Sequence, residues 1–185
     1  MSHKRENRKL SLYLLGVMAL IPLLIHVSPL HAESLDSMAL RSDAVVIALP
    51  REKVSYWDGD IIRTRAVLDV KQVVSGALQK KTVTVVYDGG VVGEIGLKVS
   101  HGVRLPRDQK AILFLKKTGE HFSILNQRRG IYLIFPSQQG EIAVPAEAVH
   151  LPPPGLSVKS SRSTTWTGEG IPLNEFISTL QSFKR

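Results

Sequence analysis

The sequence predicts a mostly-β domain with a short helix before its strands and an amphipathic helix after them. Three observations lead there. In "IIRTRAVLDVKQVV", Ile62, Thr64, Ala66, Leu68 and Val70 face one way, while Arg63, Arg65, Asp69 and Lys71 face the other. A period of two means a strand with one wet face. Short apolar runs recur along the chain, separated by glycines and turn residues. Near the end, Leu173, Phe176, Ile177 and Leu180 fall on one face of a helix.

Composition sets the frame for these elements. The chain has 185 residues, 43% hydrophobic and 22% charged, so a packed core is expected and wholesale disorder is not. Its opening, "MSHKRENRKL", is basic, and the apolar run "LSLYLLGVMALIPLLI" follows. With Ala32 as a small residue at the cleavage point, residues 1–32 read as a signal peptide. The alternative is a retained membrane anchor, because the run approaches spanning length. Pro22 and the polar "HVSP" favour cleavage, giving an exported protein, periplasmic or secreted, that begins at Glu33. Losing Lys4, Arg5, Arg8, Lys9 and Glu6 lowers the formal charge from +8 to about +5. There is no cysteine, so stability must come from a core of ordinary packing.

The elements then follow in order. "ESLDSMALRSD" has Leu35, Met38 and Ala39 spaced for one helical face, predicting a short helix before Asp43. "AVVIALPREKVSY" is apolar on both faces at first, as a buried strand is, with Pro50 marking a bulge or an edge. "WDGD" predicts a hairpin turn centred on Asp58-Gly59, and the alternating strand is its return arm. After "SGALQKK", "TVTVVY" is a third, β-branched strand. "QKAILFLKK", "HFSILN", "IYLIFP" and "EIAVP" are four more, with Gly119, Gly130 and Gly140 at or near the turns. These assign residues 33–151 to one β domain. The three prolines and many Ser and Thr of residues 152–170 make an extended connector. The closing helix occupies 171–185, with Pro172 in its first turn and Lys184 and Arg185 at its C-terminal end.

Between the third and fourth strands, "YDGGVVGEIGLKVSHGV" contains five glycines. A phosphate cradle needs a helix after its glycines. Here Ile95, Leu97 and Val99 alternate with Gly96, Lys98 and Ser100, which is strand periodicity. The spacing matches neither G-x-G-x-x-G nor the P-loop. Gly89-Gly90 are expected to turn the chain, with Gly93 and Gly96 permitting bulges or close backbone approach.

No catalytic, cofactor or metal site is assigned. His101, His121 and His150 lack paired-ligand spacing, and no cysteine joins them. Ser100-His101 with Asp108 has no nucleophile-elbow context, and adjacent strand residues point to opposite faces. Asp58 and Asp60 belong to a turn. Asp88 and Glu94 flank the glycines and can meet across a hairpin, with solvated surface the expected outcome.

Tyr56-Trp57 are the candidate partner-binding residues, since aromatics beside a hairpin tip anchor interfaces. The opposite expectation has Trp57 folding back over the domain's end. The basic pairs Lys80-Lys81, Lys116-Lys117 and Arg128-Arg129 offer a second possibility, a glycan or other polyanion; Lys116, Lys117, Arg128 and Arg129 are its candidate residues. Nucleic acid is not expected, because aromatics are 6% of the chain and export removes it from the cytosol.

Together "SDAVVIALP", "IIRTRAVLDVKQVVSG", "VTVVYDGGVVGEIGLKVSHGVRL" and "QKAILFLKK" resemble a group of uncharacterised exported bacterial proteins. The arrangement is similar to the netrin-like module, the OB-type barrel of tissue inhibitors of metalloproteinases, over about residues 35–145. The resemblance implies an OB-like barrel acting by binding: a non-catalytic protein-interaction or inhibitor-like module. Those inhibitors chelate the protease zinc with an N-terminal cysteine, and this chain has none. Ala48 and Leu49 also replace a usual glycine, and "PRDQ" a usual Pro-x-Gly turn. Fold therefore carries over better than inhibition.

Overall fold

The computed structural model describes residues 34–149 and 169–183. The signal-like segment, His150, most of the connector, Lys184 and Arg185 lie outside the described residues.

The chain starts with α1 (Leu35–Arg41), β1 (Ala44–Asp58), β2 (Ile61–Gly76) and β3 (Thr82–Asp88). A small hairpin follows, β4 (Gly90–Val92) and β5 (Ile95–Leu97). Then come β6 (Ala111–Thr118), β7 (His121–Ile124), β8 (Ile131–Ser137), β9 (Gly140–Pro145), β10 (Ile171–Pro172) and α2 (Leu173–Ser182). The main sheet runs β1-β2-β3-β7-β6-β8-β9-β10, and an additional β1–β6 pairing joins its first five strands into a ring. Every ladder in that ring is antiparallel except β3–β7, which is parallel.

Closure depends on β1. Its first residues, Ala44–Ala48, pair with β6 on one side, while the whole strand pairs with β2 on the other. Register shifts at Val45/Val46, Ile47/Ala48 and Pro50/Glu52 bend it enough to serve both neighbours. Pro50 therefore sits at a bulge, as expected. Because β1 is covered on both sides, its opening run is apolar in both registers. Val46 and Ala48 join the core inside the ring, and Val45 and Ile47 join a second core outside it. Strand β6 repeats this, with Leu113 and Leu115 inside and Ile112 and Phe114 outside. The two helices cover that outer core with Met38, Ala39, Phe176 and Leu180.

The alternating strand behaves as its period demands: Ile62, Thr64, Ala66 and Leu68 are buried. Three other expectations need correction. Asp58 pairs with Ile61, so the β1–β2 turn is Gly59-Asp60, one residue later than Asp58-Gly59. Gly59 takes a φ of 60°, the left-handed first position that a two-residue hairpin turn uses. Gly93 is no bulge; with Glu94 it forms the β4–β5 turn between Val92 and Ile95. Pro172 precedes the final helix, because Ile171 and Pro172 first pair with Ala143 and Ile142 of β9.

The strand expected to continue through Val99 stops at Leu97. From there the chain crosses one end of the ring and inserts Leu105, 3% exposed, into the inner core. Lys53 donates from Nζ to the Leu105 carbonyl at 2.7 Å, and Asp108 N–H donates to Pro50 O at 3.3 Å. Both bonds tie this segment to β1, and Leu105 is its contribution to the inner core.

Candidate functional site

At the far end of β1 and β2, Tyr56 lies opposite Arg63 and Trp57 opposite Ile62. The two rings therefore point to opposite faces of the hairpin. Ile62 is buried, yet Trp57 beside it remains 47% exposed. Its place at the strand end carries it past the core. Tyr56 is held from its own face: the Arg65 guanidinium carbon sits 5.5 Å from the ring centroid.

Arg63 ties this hairpin to β3. Its Nε donates to Asp88 at 3.0 Å and its Nη1 donates to Asp58. The bond to Asp88 and the nearby Asp58 charge hold the guanidinium above its ordinary pKa. Exposed ion pairs of this kind add little stability. They fix where the hairpin tip stands.

A second tie involves hydroxyls. Ser55 and Thr64 meet at 2.9 Å, Thr64 donates to Gly89 O at 2.6 Å, and Val91 N–H donates to Ser55 Oγ at 3.4 Å. The β4–β5 hairpin is thus fastened against the face of β1 that carries Ser55 and, two residues on, Trp57. Its own Val91 and Ile95 are exposed. Two adjoining hairpins thus present Trp57, Val91 and Ile95 to solvent.

Next to this lies a cleft. Strands β3 and β7 share one ladder pair, Val85 with Phe122. Where they part, an opening of about 400 Å³ remains. Tyr56, Arg63, Asp88 and His121 line it, together with the half-buried Tyr87, Val103 and Phe122. Thr118, Ser123 and Gln127 add further polar groups.

Tyr87 is the unusual member. Val83, Val85 and Tyr87 form the inward row of β3, so a phenol stands where the pattern calls for an apolar side chain. Burial pushes its pKa up to about 12. Its hydroxyl makes no hydrogen bond with the described residues, and the only dry, unsatisfied side-chain atom among them is Ser75 Oγ. The Tyr87 hydroxyl therefore opens into the cleft.

The basic candidates are placed differently. Lys116 Nζ contacts Asp43 at 3.1 Å and the Arg41 carbonyl at 3.2 Å. Arg128 turns inward, donating from Nε and Nη2 to Ala146 O at 3.0 and 2.8 Å and from Nη2 to Val149 O at 2.6 Å. Arg129 pairs with Glu147 at 3.4 Å. Lys117 is exposed, its backbone N–H donating to Asp43 at 2.7 Å. Arg128 acts as a clasp inside the fold, and the four residues do not form one patch of uncommitted charge.

Of the histidines, His101 is exposed with a φ of 56°, and His121 lines the cleft. Among the described residues no cluster of three His, Cys, Asp or Glu could hold a metal. Asp88 is bonded to Arg63 while Glu94 sits in the β4–β5 turn. The sequence reading missed Tyr87, Arg63, Asp88 and Phe122 as neighbours around a single opening. The one available signal was the phenol in the inward row of β3. Compared with protein-family models, curated proteins and solved structures, the chain matches none.

Proposed function

We propose that this chain is an exported, non-catalytic binding module that recognises a protein partner through the β1–β2 hairpin tip. Tyr56 and Trp57 are its anchors. The observation that carries this reading is Trp57, half exposed on a strand end that three ion-pair and hydroxyl ties hold in place. A strand end already held in place loses little backbone entropy on binding, which is what an interface anchor needs. The five-strand ring with its one parallel seam supports an OB-type barrel, of which the netrin-like inhibitor module is one form. The polyanion alternative draws less support, because Lys116, Arg128 and Arg129 already have partners within the fold.

Trp57→Ala is expected to abolish capture of the partner from an envelope extract and to lose at least ~2 kcal/mol of binding. The melting temperature should move little. A large drop in melting temperature with capture intact would make Trp57 a cap on the ring and defeat the reading. Export has its own check: N-terminal sequencing of the protein from its native host should begin at Glu33. A Met1 terminus on membrane-embedded material would replace secretion with anchoring.

A further inference from the structure

We propose that the cleft between β3 and β7 is a binding subsite for an uncharged saccharide unit, with the Tyr87 hydroxyl turned toward it. This goes beyond the hairpin-tip reading and does not depend on it. The cleft's volume, about 400 Å³, lies within the range of small-molecule sites. Its lining mixes aromatic surface from Tyr56, Tyr87 and Phe122 with short polar groups from Thr118, Ser123 and Gln127. A sugar ring has the matching chemistry. Its C–H faces are attracted to the negative face of an aromatic ring, and its hydroxyls both donate and accept.

Charge selects against the alternatives. The guanidinium that lines the cleft, Arg63, is already bonded to the carboxylates of Asp58 and Asp88. An anion entering here meets the Asp88 carboxylate in the lining and a guanidinium already engaged by Asp88 and Asp58. A cation meets carboxylates that are already engaged. A neutral ligand incurs neither repulsion, and the planar Asp88 and Arg63 groups can still share hydrogen bonds with its hydroxyls. Tyr87 supplies the remaining element, a half-buried phenol whose hydroxyl makes no hydrogen bond with the described residues. Polar groups placed in this way fix a ligand's orientation in an otherwise apolar pocket.

The test is a titration of the full mature chain, followed by backbone amide NMR. The probes are maltotriose, cellotriose and the trimer of N-acetylglucosamine, with a heparin tetrasaccharide as the anionic arm. At least one neutral probe should give saturable shifts at Tyr87, Asp88 and Phe122. Tyr87→Phe should weaken that probe about three- to tenfold, the effect of one lost hydrogen bond, while keeping its melting temperature. His121→Ala, an exposed change, provides a second perturbation from the same lining. Trp57→Ala should leave saccharide binding unchanged, so this subsite and the protein-binding tip can fail separately. Absence of saturable shifts with every neutral probe would overturn the proposal, as would response to heparin alone. Equal affinity of the Tyr87→Phe variant would remove the hydroxyl's role and the assignment with it. Cleft shifts that appear only with the hairpin's protein partner would assign the opening to that interface instead.

Discussion

Phe176→Ala should destabilise the folded chain by about 3–5 kcal/mol, the range for removing a fully buried phenylalanine. Phe176 is 1% exposed, and its ring centroid lies 4.7 Å from that of Tyr132, which in turn lies 6.1 Å from Phe114. The three rings form a column from α2 through β8 to β6. Truncation would leave a void that Tyr132 cannot fill without leaving Phe114, so relaxation recovers little. Leu180, also fully buried, would stay but lose part of its seat. A ten-residue helix is marginal in water on its own, so losing this contact should also release α2. Urea melts read by circular dichroism decide the matter. An exposed change on the same helix, Ser178→Ala, should stay within ~0.5 kcal/mol of the parent. If the two variants melt alike, α2 is not held by its apolar face.

That face was readable in the sequence because the spacing of Leu173, Phe176, Ile177 and Leu180 is a local property. So was the double burial of β1, since "AVVIA" is apolar in both registers and only a strand covered on both sides explains it. The inward row of β2 followed from its period. What joins these pieces is not local. The β1–β6 closure links Ala44 to Leu115, and the β3–β7 seam rests on Val85 and Phe122. No periodicity encodes those partners, because any apolar strand edge would serve. The cleft exists only where that seam opens, and its lining residues run from Tyr56 to Gln127 along the chain. Arg63 and Asp88 looked like ordinary wet-face charges because each belongs to a different strand. The Tyr56-Trp57 pair, by contrast, was visible beforehand, since its neighbour is a turn and a turn has a local signature. The basic pairs show the same limit: a sequence shows that Arg128 is charged but not that two carbonyls, from Ala146 and Val149, accept its hydrogen bonds. The two-residue β10 left no signal, being too short to show a period.

Gly90→Ala should cost about 2–6 kcal/mol, combining a strained backbone with overpacking. Gly90 has a φ of 137°, a conformation that residues with a Cβ rarely adopt. A methyl built there would lie 2.3 Å from Ser55 Oγ and 2.4 Å from Thr64 Oγ1. Both hydroxyls would have to swing away. That breaks their mutual bond at 2.9 Å and the Thr64 bond to Gly89 O at 2.6 Å. Thr64 is 4% exposed, so a displaced hydroxyl there has no ready access to water. The β4–β5 hairpin would otherwise have to lift from β1, and with it Val91 and Ile95 would leave the side of Trp57. Gly93 provides the control. Its φ is also positive, at 60°, but nothing lies within 4 Å of its added Cβ. Gly93→Ala should therefore cost only about 1–2 kcal/mol, the backbone contribution alone. Denaturant melts of the two variants, with amide exchange at Val91 as a local probe, separate strain from crowding. Equal costs would mean that backbone strain alone makes Gly90 necessary. A larger loss at Gly90, accompanied by faster exchange at Val91, is the expected result: the glycine lets the second hairpin seat on the first, and that seating sets the ground beside Trp57.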